Sequence, residues 1–537
     1  MEALPSNIYN SNPSPMVKLH NIIIGALLAT SVLSETITLN KCGACKPCGC
    51  PPPPPPPGPC DCGGDKPDRP VCPKTNNKIV GKDNTVGGDD NEIVGNDNVN
   101  LGDGNFVYGS DNTNIGAINK IIGSRNKNLG NFNKIVGHKN FNDGDVNKIF
   151  GSGNINIGDY NTLLGSLNAV KGKGNAIEGH VNKVLGDLNI IDDGSFNVLK
   201  GHQNVVKNGN HNIISGSGNR AQGDKNKIDG NVNKVVGDYN FIDGDLNKAF
   251  GSGNKIDGGC NNVVGKVNVV AGYSNDVNGN KNAVLGNKNA VQGEDNTVAG
   301  NCNNAIGDKN KVIGDKNNVV GDNNGAYGTS NDIYGNNNKA VGYDNSLVGE
   351  GNLAVGSKNV GVGNDNKLIG KKNVAFGDGN SLAGCKNTAI GNKNTAVGAK
   401  NYILGGYNTA LGKHNVIAGY HNVAEGNVNN IWGSKNLVDG DFNDVTGDKN
   451  QVNGDVNIVQ GSANYLDGSY NTVNGGENQV VGGSNYVYGS GNKVLSSDGC
   501  TNGNYCIPDK PEKPTCKVIH TNCKPDCVPC KPCSCHH

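Results

Sequence analysis

Between residues 77 and 492, hydrophobic and polar positions follow a seven-residue cycle. Each cycle opens on asparagine. A branched aliphatic or alanine comes two residues later, and glycine four residues later in almost every unit, as in Asn77-x-Ile79-x-Gly81 and Asn394-x-Ala396-x-Gly398. The asparagine recurs sixty times. Of the 59 steps, 57 span seven residues and two span eight, Asn189 to Asn197 and Asn204 to Asn212. A period this strict predicts one stacked architecture in place of several separate cores. Residues two apart in an extended segment share a side. Asparagine and the aliphatic therefore face inward together, and the first and third residues after asparagine face outward. Two units, turned by glycine at each corner, close a coil of 14 residues. The predicted fold class is all-β, a parallel β-solenoid or β-roll of about 30 coils, roughly 140 Å long at one strand spacing per coil. The eight-residue steps predict corner bulges near Asp192-Asp193 and Lys207-Asn208 that leave the stack intact.

Asparagine is a poor strand former, so sixty of them need a physical reason. Stacked coils place identical amides one strand spacing apart, where each can bond to the next coil. A buried amide is tolerated only when bonded. Asn77, Asn91, Asn105, Asn119, Asn133 and Asn147 start one such structural ladder. Asn100, Asn114, Asn128, Asn142 and Asn156 replace the aliphatic residue in every second unit over five coils, and Lys120, Lys134 and Lys148 repeat at the same interval, which supports the 14-residue phase. The pattern leaves no Asn-x-Ser/Thr acceptor, so N-glycans are not expected.

Composition agrees with a thin core. The 537 residues are 34% hydrophobic and 5% aromatic, and Lys plus Arg equals Asp plus Glu at 48 each. Without basic excess there is no electrostatic case for nucleic acid. The ends differ from the repeat. Residues 1–34 read as a signal region, with the basic and apolar stretch 16–34, a mature start near residue 35, and either Met1 or Met16 as the start. Residues 35–76 form a Cys/Pro-rich segment in which Pro51–Pro57 makes a stiff polyproline spacer. The solenoid takes 77–495, and 496–537 is a Cys-rich C-terminal segment. Secretion to the extracellular space follows, with no membrane segment after signal removal.

Eighteen cysteines crowd the ends. In an oxidising compartment they read as disulfide knots. Cys527, Cys530, Cys533 and Cys535, followed by His536 and His537, have zinc-like spacing, but disulfides or cross-links to another molecule are the preferred reading and no metal or other cofactor is expected. Cys260, Cys302 and Cys385 lie alone inside the repeat, at corners before Asn261, Asn303 and Asn387. Cys260 and Cys302 are three coils apart, roughly 14 Å, too far for a disulfide. A row of thiols along one edge would suit links between rods.

Units such as Asn296-Thr-Val-Ala-Gly300, Asn394-Thr-Ala-Val-Gly398 and Asn471-Thr-Val-Asn-Gly475 resemble the ice-recrystallisation-inhibition roll of grass antifreeze proteins. Asn387-Thr-Ala-Ile-Gly391 is also similar to head repeats of bacterial trimeric autotransporter adhesins. The resemblance implies a parallel β-roll over 77–495. For the grass family it also implies a flat ice face rich in Thr, Ser and Val. Here the first outward position is Lys in 14 units and Thr in eight. The cleanest ladder is Ser381, Thr395, Thr409 and Val423, the candidate ice or surface face. Phe106, Lys120, Phe241, Tyr402 and Tyr465 break flatness elsewhere.

Asp229, Asp243 and Asp257 stack beside Lys227 and Lys255, a row that suits a solvated face more than a calcium or glycan site. His138, His180, His202, His211, His414 and His421 sit in corners without a triad-like arrangement, and Trp432 is the lone tryptophan, too few for a sugar-stacking platform. No catalytic residue is expected. The sequence reading is a secreted, non-enzymatic structural or adhesive rod whose partners are itself or other extracellular structural proteins, or polysaccharide, with ice binding as the alternative.

Overall fold

The computed structural model describes residues 76–495 and the backbone of the strand Cys500–Asn502. Both cysteine-rich segments, with the signal region, the zinc-like cluster and Cys527, Cys530, Cys533 and Cys535, lie outside the described residues apart from that strand.

Every seven-residue unit forms one short strand, from Lys78–Val80 to Lys493–Leu495. A sixty-first strand, Cys500–Asn502, carries the stack past Leu495 by pairing with Tyr486–Tyr488. Strands alternate between two sheets, 31 in the first and 30 in the second. Within each sheet every strand pairs in parallel with the strand 14 residues on, Lys78 with Glu92 and Thr85 with Val99. The predicted two-unit coil is therefore the observed one. Both eight-residue steps fall in the corner that leaves the first sheet. Strand register continues across them, Lys183 with Val198 and Ile190 with Val205, with Asp193 and Asn208 absorbing the extra residue in left-handed conformation.

The interior is two aliphatic rows, one from each sheet, closed at both corners by asparagine. Ile93, Ile121, Ile149 and Val494 exemplify a core position that is buried from Ile93 onward. Each such Ile, Leu or Val contributes roughly 1.5–3 kcal/mol of burial. From Asn91 to Asn485 the asparagines beside them are equally buried, and their side chains are engaged in hydrogen bonds, with Asn91 Nδ2 left unpartnered. Asn112 shows the pattern. Its Nδ2 donates to Asn98 Oδ1 of the preceding coil (3.0 Å) and to the Gly123 carbonyl of the next (2.7 Å). Its Oδ1 accepts the backbone N–H and the side-chain amide of Asn126, both at 3.0 Å.

The first-sheet row departs slightly from the expected amide-to-amide ladder. From Asn77 to Asn147, each Oδ1 accepts the backbone N–H of the next asparagine, as Asn105 N–H to Asn91 Oδ1 (2.9 Å) and Asn119 N–H to Asn105 Oδ1 (2.8 Å). Apart from Asn91, whose Nδ2 has no partner, the Nδ2 groups donate to glycine carbonyls, as Asn105 to Gly116 and Asn133 to Gly144. Side-chain-to-side-chain bonds join that row at Asn175.

The inner row Asn100–Asn156 is a second, shorter ladder in the core. Nδ2 of Asn114, Asn128, Asn142 and Asn156 each donates to the preceding Oδ1 at 2.6–2.7 Å. A directional ladder of finite length strands one donor and one acceptor. Asn100 Nδ2 and Asn156 Oδ1 are accordingly buried without a partner, because Val86 and Val170 flank the row. Replacing Asn128 by Val would strand Asn114 Oδ1 mid-row and lower stability by about 1–3 kcal/mol. Replacing all five by Val removes both orphans of this row and should leave the roll at least as stable as wild type. Denaturant unfolding of the two variants tests this reversal.

Two corner features were not foreseen. The residue just before almost every asparagine is left-handed, whatever its type, including Ile118 (φ 60°), Val146 (61°) and Phe132 (59°). Separately, the residue after each corner glycine forms an outer ladder when it is Asp, Asn, Ser or His. Its side chain accepts the N–H of the same position one coil earlier, as Asp145 N–H to Asp159 Oδ1 (2.9 Å) and Ser124 N–H to His138 Nδ1 (3.1 Å).

Candidate functional site

Between residues 325 and 413 the corners of the second sheet change, and between 402 and 434 strands of the first sheet lengthen too. The outer position of the second-sheet corners is Thr329, Tyr343, Ser357, Lys371, Cys385, Ala399 and Lys413, a run mostly unable to cap the coil below. Backbone pairing takes over, and the strands lengthen from three residues to five, as in Lys367–Lys371, Ser381–Cys385, Thr395–Ala399 and Thr409–Lys413. The same coils have alanine at many core positions, among them Ala340, Ala354, Ala396, Ala410 and Ala424. Small interior side chains and continuous pairing give this stretch its longest, most regular strands.

The predicted face sits here. Ser381 pairs in register with Thr395, Thr395 with Thr409, and Thr409 with Val423. Their side chains stand in one row at roughly 4.8 Å intervals. A second row, Ala383, Val397 and Leu411, runs beside it about 7 Å away, two residues along each strand. The patch is uncharged and its outward residues are small or mid-sized. Lys367 bounds it at one end and Glu425 at the other.

The first sheet carries a longer uncharged run that the sequence reading passed over. From Ser346 to Trp432, seven successive strands present no charge outward, between Asp332 and Asp444. The signal was there, as an absence of Lys, Arg, Asp and Glu in alternate units. Phe376, Tyr402 and Trp432 project from this run at 45%, 42% and 49% exposure, which makes it an irregular surface.

Away from residues 346–437 most faces carry charged or aromatic residues, with a short uncharged row at Val269, Ala283 and Thr297 in the second sheet. Lysines lie over rings in the adjacent coil, as Lys120 over Phe106 (5.1 Å) and Lys227 over Phe241 (4.9 Å). Asp229, Asp243 and Asp257 are exposed in consecutive strands. The histidines are corner residues. His138 and His180 cap backbone N–H groups, and His211 and His421 stack on Phe196 and Tyr407. His414 is held below the usual imidazole range, first by burial and then by Lys400 and Lys413. Among the described residues no group of three or more His, Cys, Asp or Glu could hold a metal ion.

The internal cysteines do not form a single row. Cys260 and Cys302 are exposed free thiols in left-handed positions directly before asparagine. Cys385 lies two residues before Asn387, ends the strand Ser381–Cys385, is buried, and is disulfide-bonded. The one-residue difference in corner position turns its side chain inward and removes it from the proposed row.

These features define a parallel β-solenoid with asparagine-lined corners. Comparison with known families adds a specific likeness: the family described as the grass antifreeze beta roll matches residues 369–461. The matched segment contains the whole Ser381–Val423 ladder. No curated protein matches the chain.

Proposed function

We propose that this protein is a non-enzymatic ice-binding solenoid that acts through the second-sheet face built on Ser381, Thr395, Thr409 and Val423. One observation carries the reading: the stretch similar to the grass antifreeze roll overlaps the coils whose strands are longest and contains an uncharged second-sheet row of hydroxyl and small aliphatic residues. A crystal surface selects for such a face. Hydroxyls and methyls held at a fixed repeat on a rigid ladder can engage ordered water together, without the entropy of ordering mobile side chains. The reading places the chain outside the cell, in accord with the signal-like stretch 16–34.

The test is an ice-recrystallisation assay on the full chain. Wild type should hold grain size down at low micromolar concentration. Thr395→Lys with Thr409→Lys places two long cations on the face and should abolish the effect, while Thr388→Lys on the opposite sheet retains it. Inhibition that survives the double substitution would overturn the assignment to this face.

A structural or adhesive rod is the second reading. It is favoured by Cys260 and Cys302, two exposed thiols on one edge that are not bonded to each other.

A further inference from the structure

The corner leading from the second sheet back to the first carries an uncharged row of ten residues, one per coil, of which seven are exposed and apolar and the others are Gly174, Gln203 and Gly218. It begins at Ile118 and ends at Leu246, and it includes Phe132 and Tyr160 at 57% and 66% exposure. Backbone bonds confirm the stacking: Phe132 N–H donates to the Ala117 carbonyl and Tyr160 N–H to that of Asp145. These residues are left-handed, Ile118, Val146 and Val232 at φ 60°, 61° and 58°. Aspartate or asparagine adopts that conformation with less strain, and β-branched residues are the worst suited to it. Asp90 fills the same position on this corner two coils before Ile118, and Asp83, Asp97 and Asp111 fill the matching position on the opposite corner. Here the chain accepts strain in order to expose hydrophobic surface, and strain held in place points to a use.

The order of side chains along the row indicates the partner. Reversed about a point between Gly174 and Leu188, the row is complementary to itself. Leu188 meets Gly174, Tyr160 meets Gln203, Val146 meets Gly218, Phe132 meets Val232, and Ile118 meets Leu246. Large faces small at the centre, and no charge lies in the row. The neighbouring outer positions obey the same reversal: Lys173 meets Asp187, Asp159 meets His202, and Asp145 meets Ser217. Within one chain these groups already pair coil to coil, Lys173 with Asp159 at 2.9 Å and His202 with Asp187 at 3.3 Å. A second copy would complete an alternating network.

We infer that the edge from Ile118 to Leu246 is an antiparallel homodimer interface, with a two-fold axis between the coils of Gly174 and Leu188. Such an isologous contact uses the same patch twice. Ten rungs at roughly 4.8 Å, about 10 Å wide, bury close to 1,000 Å² in total, the lower bound for a specific interface.

Sedimentation velocity of the full chain in reductant, which removes cysteine links, tests the inference. Wild type should sediment at twice the 55.6 kDa chain mass. Phe132→Asp with Leu188→Asp should sediment as a monomer, with association at least about a hundredfold weaker. Aspartate suits the left-handed position, so the coil is preserved, and an unchanged β-sheet circular dichroism spectrum verifies this. Leu167→Asp on the opposite corner should leave the dimer intact. Lys173→Asp should weaken the dimer, and adding Asp187→Lys should restore it. A monomeric wild type, or a dimer indifferent to Phe132→Asp with Leu188→Asp, overturns the interface. Failure of the charge swap to restore the dimer overturns the antiparallel register.

Discussion

Gly398→Ala should open the roll around residues 395–413 and lower its stability by on the order of 3–5 kcal/mol. Gly398 has φ +120°, a region that only glycine occupies without strain. An added Cβ would strike the carbonyl of Gly412 in the next coil. That oxygen also accepts the amide of Asn401 at 2.9 Å, so it cannot retreat without breaking the buried ladder. The injury should stay local, because each coil contacts only its neighbours. Hydrogen exchange should show lost protection around residues 395–413 and normal protection in distant coils. Gly379→Asn is the contrast. Gly379 has φ +67°, and an added Cβ there would press only on the flexible Lys393 side chain, with the Lys393 backbone at ordinary contact distance, so asparagine there should cost under about 1 kcal/mol. Equal effects from the two substitutions would refute the distinction between the two corner positions.

Asn240→Leu is expected to be comparably severe for a different reason. Leucine has nearly the right size but no polar group. Asn240 Nδ2 donates to Asn226 Oδ1 at 3.0 Å and to the Gly251 carbonyl at 2.8 Å. Its Oδ1 accepts the backbone N–H and the side-chain amide of Asn254 at 3.1 and 3.0 Å. Substitution leaves the Gly251 carbonyl and the Asn254 N–H buried without these partners. At about 1–3 kcal/mol for each of these two stranded groups, the loss is about 2–6 kcal/mol. Because the asparagines interlock across coils, local proteolysis should increase on both sides of the substituted coil. A variant as resistant as wild type would show that the ladder is dispensable at single rungs.

These two positions also mark what the sequence made legible. The 14-residue coil, the buried asparagines and the inner row Asn100–Asn156 could be read because each imposes a fixed phase on a chemically distinctive residue. The ends of that inner row, where Asn100 and Asn156 each keep an unbonded atom, follow from the direction of the ladder, which sequence does not give. The left-handed residue before asparagine escaped notice because it has no consistent chemistry. Aspartate, lysine, valine and phenylalanine all occupy it, since the neighbouring coils force the geometry whatever the side chain. The lengthened strands around Ser381–Cys385 depend on what the following coil lacks, an acceptor beyond glycine, and only stacking reveals which residue is missing its partner. The face Ser381, Thr395, Thr409 and Val423 was visible as a pattern. Its regularity was not, because that comes from the corner and the small core beneath it. The thiol row failed at Cys385 because one residue of offset within a corner decides between solvent and interior.

Partitioning into growing ice tests the central claim most directly. Wild-type chain and the Thr395→Lys, Thr409→Lys variant, labelled with different fluorophores, are mixed in solution while ice grows slowly on a cold surface. Ice binding through this face predicts that wild type is taken into the ice and the variant stays in the liquid. Equal exclusion of both from the ice would contradict ice binding, and equal incorporation would contradict the face.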